Sequence, residues 1–191
     1  MEDISVLARE VKLLIFDALC DRGHTPYREI GHRSVSFVMD RCEIEYTQDE
    51  VRWLVSEIEN LKPFPDVLEA LQKLRGGGYK LAILSNGDRD MLEAAKPHIG
   101  FDMDFTISVQ ESGYFKPHWQ TYASVERITG EDRSNCLFVA NHAFDCHGAK
   151  AFGMRTAFID RRKRPFGETP HQPDIIVKDF KSLAAALADG Q

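Results

Sequence analysis

The sequence predicts an α/β protein, a doubly wound parallel sheet with a small helical cap inserted after its first strand. Three observations carry this. From Asp66 onward, short apolar runs alternate strictly with helix-length amphipathic segments, the pattern of βα units in a parallel sheet. Val11–Asp17 (VKLLIFD) is an apolar run that halts at an aspartate. A buried parallel strand reads this way when it delivers one carboxylate to the sheet edge. Pro63-Phe64-Pro65 then separates a polar, helix-forming stretch from the regular alternation that follows.

Taken in order, the elements justify themselves. After the first strand, Asp21-Arg22-Gly23-His24-Thr25-Pro26 is turn-rich, and Tyr27–Cys42 is a loosely amphipathic helix with Ile30, Val35, Phe37, Val38 and Met39 apolar. Thr47 with Glu50 forms a capping box for a helix reaching about Asn60, with Val51, Leu54, Val55 and Ile58 at helical spacing. Residues 21–62 are therefore expected to be the cap, and residues 1–20 with 63–191 the core. In the core, a helix over Val67–Arg75 stops at Gly76-Gly77-Gly78, and Tyr79–Ser85 is a buried strand. Helices are expected over Asp88–His98, Gln120–Ile128 and up to Phe152. Strands are expected over Phe105–Val109, Cys136–Ala140, Arg155–Ile159 and Ile175–Val177, with a final helix after them.

Composition limits the function. The 191 residues are 43% hydrophobic and 28% charged, as in an ordinary globular protein able to bury a full core. A net charge of −6 argues against a nucleic-acid surface, and the run Arg161-Arg162-Lys163-Arg164 reads as a solvated loop after a strand. No apolar run approaches the ~20 residues of a membrane span, and Met1–Glu10 is too charged for a signal peptide. Cys20, Cys42, Cys136 and Cys146 lack CxxC spacing, so reduced thiols and a cytoplasmic location are expected.

Polar residues gather at strand ends. They are Asp17, Ser85-Asn86-Gly87-Asp88, Lys116-Pro117, and Asn141-His142 with Asp145. In a doubly wound sheet these segments converge on one crevice. Singly, each has a plain structural meaning: Asp17 as a turn cap, Ser85-Asn86 as a helix cap, Lys116 as a loop lysine. Together they offer a carboxylate nucleophile, hydroxyl and amide donors, a cation and a second carboxylate. A lysine nearby favours the ionised nucleophile against burial. Ser85, Asn86 and the N–H groups of the next helix can bind an anion. Asp145 can orient Lys116 or position a water. His142, Asp145, Cys146 and His147 also raise a metal site, since His142 and Cys146 share a helix face, but a further ligand would be needed and His147 is expected to be exposed.

The order Asp, Ser-Asn-Gly, Lys-Pro, then Asp resembles the haloacid dehalogenase superfamily. Within it, LSNG at Leu84–Gly87, YFKPHWQTY at Tyr114–Tyr122 and LFVANHAFDCHGAKAFGMRTAFIDR at Leu137–Arg161 are similar to the type II 2-haloacid dehalogenases. The resemblance spans Val11 to Leu187 and implies a Rossmann-like core and a metal-free, cofactor-free hydrolase. In that reading Asp17 displaces halide from C2 of a short 2-haloacid, and water hydrolyses the aspartyl ester. Lys116 keeps Asp17 ionised, Ser85 and Asn86 hold the substrate carboxylate and cradle the halide, and Asp145 serves ester hydrolysis. Leu19, Tyr122, Asn141 and Phe144 are implied at the substrate pocket. His142 is a hydrolytic base or hydrogen-bond partner, or only a histidine bonded near the site. Dimerisation is common in the family and is expected here as a homodimer.

Two other readings also fit the sequence. Phosphatases of the superfamily carry a second aspartate two residues after the nucleophile, where this chain has Leu19, and an acidic pair where it has the single Asp145. Their Mg²⁺ would be poorly supplied here. The second alternative is a non-catalytic protein that keeps the fold. The chain passes from Cys20 straight to Asp21-Arg22-Gly23-His24, as if several tens of residues of the family's cap, with its substrate-binding arginine, were missing. A true deletion would leave the crevice more open to water.

Overall fold

The structure, a computed structural model, describes residues 24–188. Val11–Asp17, Leu19 and Cys20 lie outside the described residues. Helix α1 (Tyr27–Arg41) and helix α2 (Gln48–Ser56) come first, and a 3₁₀ turn (Glu57–Asn60) follows α2 directly. Thr47 and Glu50 form the expected capping box at the start of α2. Val35, Val51 and Val55, with Met39 and Tyr46 against them, make a small core between α1 and α2. A second contact, Ile30 and Tyr27 on Val109 and Phe115, fastens α1 to the remainder of the chain.

The α/β part runs α3 (Val67–Gly76), β1 (Ala82–Ser85), α4 (Arg89–Ile99), β2 (Phe105–Ser108), α5 (Trp119–Thr129), β3 (Leu137–Ala140), α6 (Ala143–Phe152), β4 (Arg155–Ile159), β5 (Ile175–Val177) and α7 (Phe180–Ala188). Among the described residues β1 pairs with β2, and β3, β4 and β5 pair in that order, all parallel. Period-two alternation along β3 places helices on both sides. Phe138 packs toward Tyr122 of α5 and Ala149 of α6, whereas Leu137 and Val139 pack toward Leu183 of α7. Leu84 of β1 joins the cluster of Tyr122, Ala149 and Met154, so the two groups of strands share one core. None of the described helices is long and apolar enough to cross a membrane.

Two expectations need correction. The strand expected over Tyr79–Ser85 starts at Ala82, because Tyr79 N–H still bonds Leu74 C=O at the helix end and Leu81 N–H bonds the Asp104 carboxylate. Arg161 is not a solvated loop arginine. Its guanidinium pairs bidentately with Asp66 (2.9 and 2.7 Å) and lies 4.2 Å over the Phe64 ring; Arg162, Lys163 and Arg164 are exposed. Asp66 also accepts the Phe180 N–H at the start of α7 (2.9 Å).

Asp66 therefore ties the end of the Pro-Phe-Pro break, the turn after β4 and the start of α7. The Arg161 hydrogen bonds hold its carboxyl below the ordinary range. A carboxylate depressed in the fold stabilises above its unfolded pKa, near 3.9, and loses that contribution as pH falls through the lower folded value. Asp66→Ala should cost about 2–3 kcal/mol in urea unfolding at neutral pH. The difference from the wild type should shrink below about pH 4.

Candidate active site

Lys116 and Asp145 form the centre of the site. Their side chains are each 11% exposed, and the ammonium Nζ lies 3.3 Å from Oδ1 and 3.3 Å from Oδ2 of the carboxylate. Oδ1 is buried and accepts no hydrogen bond from the described residues. The backbone on both sides is fixed. Lys116 N–H donates to Asn86 Oδ1 (3.0 Å), which joins the loop after β1 to the loop after β2. Asp145 sits in the first turn of α6, where its negative charge meets the positive helix end, and its N–H donates to His142 C=O (3.1 Å). The Asp145 carbonyl accepts the Tyr122 hydroxyl (3.1 Å).

Tyr122 is fully buried. Burial, then the nearby Asp145 and Cys146, pushes its phenol far above the ordinary value, so it remains a neutral donor. It stands behind Asp145 as a support. Gly148, one turn along α6, makes room for it: a Cβ there would lie 2.5 Å from the Tyr122 hydroxyl and 2.7 Å from Pro117 Cβ.

The structure brings Asn86, Lys116, Tyr122 and Asp145 into one bonded chain. Ser85 ends β1, and its Oγ accepts the Gly87 N–H (3.0 Å), which shapes the loop holding Asn86. His142 caps α6 with its backbone carbonyl, and its ring stands 5.7 Å from that of Phe144, which is partly exposed. Asn141 lies half-buried in the bend between β3 and α6. Asp17 and Leu19 lie outside the described residues. Asp88, the last of the polar residues after β1, lies with His24 at the seam between α1 and this loop.

The metal candidate does not assemble. Cys146 Sγ turns inward toward the Ala157 and Ala140 carbonyls, and burial with the Asp145 charge pushes its thiol up to about 12. His147 is half-buried rather than exposed, with Nδ1 2.8 Å from Thr169 Oγ1 and its ring edge-on to His171. Among the described residues no group of three or more His, Cys, Asp or Glu comes together to hold a metal.

The described strands thus form a parallel α/β sheet with a lysine–carboxylate pair beyond the strand ends. Comparisons give the family. The model described as haloacid dehalogenase-like hydrolase matches residues 12–153. Haloacetate dehalogenase H-2 of Moraxella sp. (strain B) is 32% identical over 98% of this chain and 85% of its own length. The (S)-2-haloacid dehalogenase of Pseudomonas sp. (strain YL) is 37% identical over 64% of this chain and 54% of its own. A solved structure of L-2-haloacid dehalogenase from Xanthobacter autotrophicus, with chloropropionic acid covalently bound, superposes with a TM-score of 0.85 at 26% identity, covering 98% of this chain and 86% of that one. A HAD phosphatase from Thermococcus onnurineus reaches a TM-score of 0.57 at 19% identity, over 80% of this chain and 69% of that one. The chain belongs to the haloacid dehalogenase-like hydrolase family.

Because the Gly148 contacts are with a buried hydroxyl and a proline ring, they cannot yield cheaply. Gly148→Ala should displace Tyr122 or Pro117 and cost about 1–3 kcal/mol of stability, read as a lowered Tm. Tyr122→Phe in the same background should recover part of that loss.

Proposed function

We propose that this protein hydrolyses short 2-haloacids to 2-hydroxy acids through an ester on Asp17. The observation that best supports this reading is the buried Lys116–Asp145 pair, bonded through Asn86 to the loop after β1. The Asp17 carboxylate attacks C2, and halide leaves with the electron pair of the carbon–halogen bond. Water then attacks Cγ of the ester. The ester carbonyl–oxygen bond breaks, and the 2-hydroxy acid, a proton and the free Asp17 carboxylate result.

Lys116 supplies the positive charge that keeps Asp17 ionised. Ser85 and Asn86 hold the substrate carboxylate and the departing halide, with Leu19, Asn141, Phe144 and Tyr122 shaping the pocket. Asp145 Oδ1, buried and without a hydrogen bond from the described residues, is suited to accept one from the attacking water, and His142 at the same helix end assists ester hydrolysis. This donor set suits a metal-free reaction. Asp145 is already paired with a lysine, and Leu19 replaces the carboxylate a Mg²⁺ ion would need.

We assign residues 21–62 to a cap and 1–20 with 63–191 to the core. We also propose a cytoplasmic homodimer. Trp53, Leu54, Ile58 and Leu61 leave an exposed apolar face on α2 and the turn after it that suits a second copy.

The test is halide release from a panel of 2-chloro-, 2-bromo- and fluoroacids without added metal. Asp17→Asn should lower the rate about 10³-fold or more. Lys116→Ala should lower it about 10²–10³-fold, the scale of losing one fixed charge-stabilising group. Mg²⁺-dependent phosphate release from p-nitrophenyl phosphate, with no halide release, would replace this reading by the phosphatase one.

A further inference from the structure

Asp88 follows Ser85-Asn86-Gly87 directly and occupies the N-cap position of α4, yet its side chain makes no capping bond to that helix. It reaches instead across the seam. Oδ1 accepts the Tyr27 N–H and Oδ2 the Arg28 N–H, each at 2.9 Å. These are the first two amides of α1, whose own N-cap residue, Pro26, provides no side-chain bond. Asp88 is 4% exposed, and Gln110 Nε2 adds a contact at 3.3 Å. His24 stacks on Phe115, the residue before Lys116, with its Nε2 4.0 Å from Asp88 Oδ1. Arg28 extends the join by pairing with Glu59 (2.7 Å) and Asp90 (2.8 Å).

Resting on the haloacid reading above, we propose that Asp88 is a positioning residue that registers the helical segment 24–60 against the substrate-binding loop Ser85–Gly87. A carboxylate at a helix N-terminus makes charge-assisted bonds favoured by the helix dipole. Here the carboxylate and the helix belong to different parts of the chain, so the bond fixes one part relative to the other. The loop side is equally stiff: Gly87 donates its N–H to Ser85 Oγ, and its carbonyl accepts the Ser108 hydroxyl (2.7 Å). A shift of α1 is thus passed through Asp88 and Gly87 to Ser85 and Asn86. Displacements on the order of 1 Å in a positioning group weaken catalysis severely. Asp88 acts through the loop and touches no reacting atom.

The experiment uses the full chain with Asp88→Ala and Asp88→Asn. Amide hydrogen exchange is followed in peptides covering 24–31 and 84–89, alongside Tm and the kcat and KM for 2-chloropropionate. Asp88→Ala should speed exchange in both peptides and raise KM about tenfold or more, and Asp88→Asn, which keeps one oxygen acceptor, should fall between it and the wild type. Faster exchange at 24–31 alone, with KM within twofold of the wild type, would make Asp88 a purely structural cap and overturn the proposal. Unchanged exchange in both peptides would overturn it too. If Asp88→Ala does not fold, Asp88→Asn gives the same comparison. A wild type without halide release would remove the haloacid reading, while exchange in the two peptides would still decide whether Asp88 couples segment to loop.

Discussion

The buried pairing of Lys116 with Asp145 is the constraint on which the site depends. Removing each charge from water costs several kcal/mol, and the pair repays this only if its geometry is held. The chain holds it through backbone bonds. Asn86 grips the Lys116 N–H, while the His142 carbonyl and the Tyr122 hydroxyl grip the peptide groups of Asp145. Tyr122 can reach that position only because residue 148 has no side chain. The loop after β1, the loop after β2, α5 and α6 thus become one interlocked unit, and none of the four could move without breaking one of these bonds.

The same device recurs at the irregular junctions. Asp66 accepts the Phe180 N–H, Asp88 those of Tyr27 and Arg28, Asp104 that of Leu81 and Asp174 that of Thr156. In each case an aspartate satisfies backbone donors that the local helix or strand leaves open. Cations balance several of them: Arg161 beside Asp66, Arg75 beside Asp104, Lys150 beside Asp174. Asp66, Asp104 and Asp174 all have carboxyls held below the ordinary range, Asp174 against a partial desolvation that its bonds to Lys150 and Thr156 outweigh. The net acidity of the chain is therefore partly structural. Its aspartates act as connectors between elements as well as surface charges.

Periodicity made the elements legible. The capping box at Thr47 and Glu50, the β1 end at Ser85 and the α6 end at Phe152 are all local signals, and the structure has them where the sequence implies. Lys116 and Asp145 were legible as a pair because sheet topology brings strand ends together. Long-range partners were not. Nothing near Arg161 announces Asp66, and Asp88 stands directly before a helix whose amides are far nearer in sequence than those of Tyr27 and Arg28. Choosing between local and distant amides depends on where α1 starts in space, which no short window contains. The half-buried setting of His147 is hidden from the sequence for the same reason, since its partner Thr169 lies on a distant loop.

The segment 24–60 shows why such connectors matter. It has fewer than the ~40 residues needed for an independent core, and its own cluster is only Val35, Val51 and Val55 with two flanking side chains. Its order must come from the α/β part, through Asp88, Arg28 and the packing of Ile30 on Val109 and Phe115. Phe115 adjoins Lys116, and Asp88 adjoins the loop that carries Asn86. The contacts that order the segment are therefore also neighbours of the groups proposed to do the chemistry. A segment too small to fold alone is held in register by residues that adjoin the loops carrying Asn86 and Lys116, so its position and theirs are set together.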